Sequence, residues 1–182
     1  SSNAGYACVG AGIPGSHIDR TVGIVKAYST CVGEGPFTAE WFGEEAEQLR
    51  KAGAEYGAAT GRPRRVGPID LVATRYGVRI QGATEVALTK LDVLSYMKEI
   101  PVCVQYELNG EKTDDFPFTA LVDQAKPVYT TVPGWGCDIS GVRKYEDLPQ
   151  AARDYVEFIE RSIGCRIRYV SVGAARDEII YR

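Results

Sequence analysis

Glu85-Val86-Ala87-Leu88-Thr89-Lys90-Leu91-Asp92 is the stretch on which the fold turns. Val86, Ala87 and Leu88 form a short apolar run, closed by the polar pair Thr89-Lys90. A run of this length suits a strand buried on both faces of a parallel sheet. The expected strand covers Glu85 to Leu91.

Working upstream, Asp70 is placed to cap a helix over Leu71 to Ile80. Gly43 to Ala54 predicts a charged helix, with Ala46 and Leu49 as a narrow apolar stripe among Glu44, Glu45, Glu47, Arg50 and Lys51. Ala27 to Val32 predicts a short strand, broken by Gly33-Glu34-Gly35-Pro36. Ser16 as N-cap, with Asp19 three residues on, predicts a helix from His17 to about Lys26. Gly5 to Gly15 is rich in glycine and small residues and predicts irregular backbone.

Working downstream, Pro101 to Leu108 alternates weakly and predicts a strand. Asn109-Gly110 is a strong hairpin signal, so a return strand is expected near Lys112 to Phe118. Pro127 to Val132 is a further strand candidate. The clearest helix is Leu148 to Ile163, where Leu148, Ala151, Ala152, Tyr155, Val156, Ile159 and Ile163 share one face. Asp147 is placed to cap it and Gly164 to end it. Cys165 to Val172 is expected to be the last full strand. Strands alternating with helices imply an α/β sheet with an attached antiparallel hairpin, and such sheets bind ligands at the carboxyl ends of their strands.

The chain has 182 residues and a net charge of -3. A polyanion or a membrane surface is therefore a poor match for the whole surface. The five cysteines are odd in number and include no C-x-x-C pair, which fits a reducing, cytoplasmic setting better than a disulfide or metal framework. No apolar run approaches transmembrane length and no secretory signal is visible. Ser1 opens the chain without methionine, so the natural protein is expected to begin earlier.

Against that acidic background, Thr60-Gly61-Arg62-Pro63-Arg64-Arg65 concentrates three guanidinium groups. Pro63 pushes Arg62 toward extended backbone. Residues two apart in an extended segment point the same way, about 6–7 Å apart. Arg62 and Arg64 can then act as a pincer, with Arg65 pointing elsewhere. Arginine forks suit carboxylate and phosphate oxygens, so the pincer fits a small anion with two acidic groups, or two anions side by side. A solvated basic turn is the plain alternative.

A second candidate closes the Glu85 strand. Asp92 can accept hydrogen bonds from N1–H and the 2-amino group of guanine, whereas adenine presents an acceptor at N1. The stem of Lys90 can lie on a purine face. This resembles the Lys-x-Asp base clip of GTP-binding proteins; an ordinary strand end is the alternative. Ser171-Val172-Gly173 closes the last strand, where Gly173 permits close backbone approach to a ligand. His17 is the sole histidine, and no G-x-x-x-x-G-K-[ST] phosphate loop is present. No catalytic acid, base or nucleophile and no metal-ligating set is assigned.

A series of segments, in order, resembles the C-terminal half of adenylosuccinate synthetases. They are Val25-Lys26-Ala27-Tyr28-Ser29-Thr30, Val32-Gly33-Glu34-Gly35-Pro36-Phe37, Gly61-Arg62-Pro63-Arg64-Arg65, Leu88-Thr89-Lys90-Leu91-Asp92-Val93-Leu94, and Pro133-Gly134-Trp135 followed by Leu148-Pro149-Gln150-Ala151-Ala152. The resemblance implies a GTP-dependent ligase of purine (AMP) biosynthesis that joins L-aspartate to IMP, working as a cytoplasmic homodimer with magnesium, without nucleic-acid or membrane partners. It implies the C-terminal part of a largely parallel, P-loop-NTPase-like sheet with flanking helices. Residues 1–182 then form one piece of a larger α/β domain, with a substrate-loop region at about 27–70 and a guanine-binding sheet region at about 84–182. By the same resemblance, Ala58, Ala59, Thr60, Gly61, Arg62, Pro63 and Arg64 hold aspartate, Arg62 also reaches toward IMP, and Val32 lies near the nucleotide ribose. Arg64, Lys90, Leu91, Asp92, Ser171, Val172 and Gly173 face GTP. The family's phosphate loop, magnesium ligands and catalytic aspartate and histidine belong to an N-terminal half that this chain lacks, so the chain alone is expected to be inactive. Ser1-Ser2-Asn3 resembles the family segment just after an IMP-contacting threonine. Cys31, Thr38-Ala39, Pro68 and Ala174-Ala175 depart from the family pattern. A stand-alone binding module for guanine nucleotide or dicarboxylate, without catalysis, is the alternative.

Overall fold

The computed structural model describes residues 3–182, apart from the side chains of Ser16 and Thr119. The chain runs through α1 (Ala7–Ala11), β1 (Val22–Lys26), β2 (Tyr28–Cys31), α2 (Gly43–Ala52), β3 (Arg65–Pro68), α3 (Leu71–Gln81) and β4 (Glu85–Thr89). It continues through β5 (Glu99–Leu108), β6 (Glu111–Thr113), α4 (Thr119–Val122), β7 (Lys126–Pro133), α5 (Gln150–Ile163), β8 (Ile167–Ser171) and β9 (Ile179–Tyr181), with short 3-10 turns between.

The central sheet has strand order β1-β4-β8-β9. β1, β4 and β8 are parallel and β9 joins antiparallel. The expected α/β class with a largely parallel sheet is what forms. The expected hairpin is present as β5 and β6, turned by Asn109 and Gly110 at φ 54° and 84°. Both residues are left-handed, as a two-residue hairpin of matching twist requires. β6 ends at Thr113, well short of Phe118, and β7 pairs along the other side of β5. A separate two-stranded ladder, β2 with β3, runs from Tyr28 opposite Pro68 to Cys31 opposite Arg65. Two of the departures from the family pattern, Cys31 and Pro68, thus sit at its two ends.

Helix α5 buries Ala152, Tyr155, Val156, Ile159 and Ile163, the face that periodicity predicts. Tyr155 carries its hydroxyl to the carbonyl of Ala27 at 2.7 Å, tying α5 to the end of β1. Asp70 caps α3 by accepting from the Ala73 amide at 3.0 Å, as expected, and Tyr106 also donates to its carboxylate.

Several expectations fail for identifiable reasons. The helix expected from His17 to Lys26 is instead a 3-10 turn at Gly15–His17 and then β1. Thr21, Val22, Ile24 and Val25 are β-branched, which favours strand, and pairing with β4 satisfies their backbone. The N-cap role expected of Ser16 concerns a side chain outside the described residues, as do Ser1 and Ser2. The irregular N-terminal stretch contains α1. Asp147 does not cap α5: it closes a 3-10 turn, and Pro149 is the residue before the helix. Proline keeps Leu148 extended, so the helix cannot begin before it. The last full strand is followed by a short one, β9. Finally, β4 is not buried on both faces within this chain. Val86 and Leu88 are buried, but Ala87 is half-buried and its β1 neighbour Ile24 is 71% exposed.

Candidate functional site

Parallel strands bring their carboxyl ends to one side of the sheet, so Lys26 at the end of β1, Lys90 just after β4 and Ser171 to Gly173 at the end of β8 lie along one rim. The chain then places a buried carboxylate among the cations. Glu55 follows α2 and is 0% exposed. Tyr28 donates to its Oε1 at 2.6 Å and Lys26 Nζ to both oxygens at 3.0 and 3.1 Å. Arg64 Nη1 donates to Oε2 at 2.7 Å, and Lys90 Nζ lies 3.2 Å from Oε1. The arginine loop and the strand-end clip, read separately from the sequence, therefore share one carboxylate.

Local backbone is built around this point. Gly53 ends α2, and a Cβ there would come within 2.3 Å of the Tyr28 hydroxyl, so only glycine fits. Its carbonyl accepts from Lys90 Nζ at 2.6 Å. Ala54 and Lys90 hold left-handed backbone at φ 50° and 61°, a conformation costing about 1–2 kcal/mol in residues other than glycine. Burial alone would raise the Glu55 pKa. Hydrogen bonds from Tyr28, Lys26 and Lys90 outweigh it and hold the carboxyl down at about 2. Burial pulls Lys26 below its ordinary value, against the opposing pull of Glu55. Three cations around one carboxylate leave the cluster with surplus positive charge.

The arginine loop hangs from this cluster by its C-terminal side. Gly57 N–H donates to Arg62 O at 2.8 Å, Gly61 N–H to Gly57 O at 2.8 Å, and Arg64 N–H to Glu55 O at 2.9 Å. Ala58, Ala59, Thr60, Gly61, Arg62 and Pro63 form an exposed tip, while Arg64 is half-buried with its Nε buried and without a hydrogen-bond partner. Arg65 points elsewhere, as expected: its Nε donates to Glu40 at 2.9 and 3.0 Å and its Nη1 to the carbonyls of Gly33 and Gly35. Val32 stands in the neighbouring loop, 78% exposed.

At the clip, Leu91 is buried and begins a 3-10 turn (Leu91–Tyr96) that carries Asp92 in its first turn. Asp92 Oδ1 is buried without a hydrogen-bond partner. Burial raises its pKa; its own backbone amide and Lys90 pull the other way, and Glu178 and Asp138 add to the rise. A buried acceptor left open in this way is costly unless a donor arrives. Ser171 and Val172 are buried beside it, and Ser171 donates to Gly173 O at 2.9 Å. At Gly173 a Cβ would meet the Glu178 carboxylate at 2.3 Å, so this chain's own side chain approaches that backbone closely.

Glu55, Lys26 and Tyr28 had no role in the sequence reading. In sequence Glu55 differs from Glu44, Glu45 and Glu47 only in lying past the helix, between Ala54 and Tyr56, on the approach to the arginines.

A sequence profile of adenylosuccinate synthetases matches residues 1–180. The adenylosuccinate synthetase of Bifidobacterium adolescentis is 52% identical over 99% of this chain, which covers 43% of that protein. That of Leifsonia xyli subsp. xyli is 50% identical over 100% of this chain and 42% of its own length. Among solved structures, the fully ligated adenylosuccinate synthetase from Plasmodium falciparum superposes with a TM-score of 0.94 at 35% identity, over 100% of this chain and 44% of that one. The chain thus spans less than half the length of the relatives it matches. With the profile and these identities running end to end, the chain belongs to the adenylosuccinate synthetase family.

Proposed function

We propose that these residues form the aspartate- and guanine-binding part of a GTP-dependent ligase that joins L-aspartate to IMP. In that reaction the γ-phosphoryl group of GTP passes to the 6-oxygen of IMP, leaving GDP. The aspartate amine then attacks C6, the C–O bond breaks, phosphate departs and the nitrogen loses a proton, giving adenylosuccinate. The observation that carries this reading is Asp92 Oδ1, buried and without a partner at the end of β4. N1–H and the 2-amino group of guanine supply the donors it lacks. Lys90, Leu91 and Asp92, with Ser171, Val172 and Gly173, bound the base. Arg64, with an open Nε, serves the GTP phosphates and aspartate. Thr60 and Arg62 complete the aspartate loop with Ala58, Ala59, Gly61 and Pro63, Arg62 extends toward IMP, and Val32 meets the ribose.

These residues bind and aim; no acid, base or nucleophile is assigned to them. Among the described residues there is no group of three or more His, Cys, Asp and Glu that could hold a metal ion. The proposal assigns magnesium no ligand in this chain, and no step here runs through it. No helix among them is long and apolar enough to cross a membrane. A cytoplasmic homodimer is part of the proposal on family resemblance.

The test is adenylosuccinate formation from IMP, aspartate and GTP, followed by absorbance, with the 182-residue chain and with a full-length protein carrying it. Turnover is expected only from the second. No turnover there, together with guanine nucleotide binding by calorimetry, would instead establish a binding module. Turnover by the short chain alone would overturn the division of labour.

A further inference from the structure

We propose that Glu55 is a positioning residue that clamps Arg64 and Lys90 to one another, so that the guanine clip and the arginine loop are energetically coupled. The inference deepens the ligase reading above and rests on it. Its grounds are geometric. Glu55 is fully buried, and its two oxygens divide their partners: Oε2 takes Arg64 and Oε1 takes Tyr28 and Lys90, with Lys26 bridging both. Arg64 therefore cannot swing toward a ligand without releasing one oxygen of the carboxylate that also holds Lys90. Lys90 is aimed twice, by Glu55 and by the Gly53 carbonyl. Strain concentrates here as well. Among the described residues three non-glycine positions have left-handed backbone, and two of them, Ala54 and Lys90, flank this carboxylate. Backbone held off its preferred conformation persists where the surrounding structure enforces it, a pattern concentrated at functional sites. The geometry joins an aspartate-facing group and a guanine-facing group through one buried atom pair.

A double-mutant cycle tests this in the full-length protein with GTP, IMP and aspartate. Glu55→Gln should raise the KM for aspartate and for GTP, each about tenfold, the scale of one charge-assisted hydrogen bond. In an Arg64→Leu background, Glu55→Gln should leave the aspartate KM unchanged within about twofold, because the contact it orients is gone. Glu55→Asp keeps the charge and should restore most of both losses. A residue that only supports the fold would lower the active fraction, and so kcat, without moving either KM. Equal Glu55→Gln effects with and without Arg64, or unmoved KM values, would overturn the proposal. If Glu55→Gln does not fold, Tyr28→Phe, which removes one donor to Oε1 while leaving the charges, takes its place: both KM values should rise a few-fold, and unmoved values overturn the proposal equally. A wild type without turnover sinks the ligase reading alone; calorimetric GDP affinity then decides Glu55, expected to fall about tenfold in Glu55→Gln and to stay constant if Glu55 serves the fold only.

Discussion

Arg64 and Arg62 stand two residues apart on one loop and live in opposite surroundings. Arg64 is half-buried, with Nη1 on a carboxylate that Lys26, Tyr28 and Lys90 also hold. Arg62 is exposed at the tip, where its backbone amide reaches Thr60 Oγ1 at 3.4 Å. The first is fixed before any ligand arrives; the second is free to meet one. A ligand held by both gains from a group whose orientation is already set and loses the side-chain entropy of the other, which is the usual division between a preorganised anchor and a closing contact. The difference teaches where mutation should register as stability and where as binding.

The largest effect should come from Glu55. Glu55→Gln leaves three cations without their shared counter-charge. Removing one partner of a buried pair costs about 3–5 kcal/mol. The lower end applies here, because Lys26, Arg64 and Lys90 keep 27%, 31% and 36% of their side chains in water. A loss of about 3 kcal/mol corresponds to a fall in melting temperature of roughly 6–12 °C for a domain of this size. A Tm within about 2 °C of wild type would dissolve the contrast between anchored and open arginine.

The same carboxylate predicts an acid dependence. Glu55 titrates near 2 when folded against an ordinary 4.5, so its contribution is complete above 4.5 and is lost as pH falls from there toward 2. Asp70 and Asp92 have raised values and act with the opposite sign. The difference between wild type and Glu55→Gln isolates the first effect: the two stability curves should converge as pH falls through that window. Parallel curves would mean that Glu55 is not held ionised by its neighbours.

Why the sequence showed Arg64 but not Glu55 is a matter of range. Local chemistry was legible: the Asn109-Gly110 turn, the Asp70 cap and the one-sided α5 each depend on residues within a few positions, and each formed as read. So was the placement of Lys90 and Asp92 at a strand end. Glu55 acquires its meaning from Tyr28, Lys26 and Lys90, which lie 27, 29 and 35 residues away and meet it only once β1 and β4 pair. Strand β1 is itself hidden in the sequence, because the Ser16–Asp19 cap pattern suggests a helix that its β-branched residues do not sustain. The approach of the Glu178 carboxylate to Gly173 is equally a tertiary matter.

At the clip, Asp92→Asn tests the open acceptor. Loss of a charge-assisted contact is worth about 1.5–3 kcal/mol, or one to two decades in preference for GTP over ITP, which lacks the 2-amino group. Stability should hold or rise, since a carboxylate whose buried Oδ1 has no hydrogen-bond partner is replaced by a neutral amide. Because burial raises the Asp92 pKa and guanine donors need the ionised form, wild-type GTP affinity should weaken as pH drops toward that value, and the Asn variant should lose this dependence. Undiminished discrimination would remove the clip and leave only the arginine loop.

The smallest change in stability should come from Arg62→Leu. The side chain lies on an exposed tip and the residue's structural links are made by its backbone, which leucine keeps, so folding should shift by no more than about 0.5 kcal/mol. Yet the aspartate KM should rise by about one decade, the scale of a charge-assisted hydrogen bond. Arg64→Leu is the matched control, because it should lower both stability and aspartate affinity by stripping a cation from Glu55. If Arg62→Leu lowers the melting temperature as far as Arg64→Leu does, the tip is anchored in the free protein and the two arginines are one device. If it moves neither stability nor aspartate binding, Arg64 alone carries the loop's charge function, and the pincer reduces to a single arm.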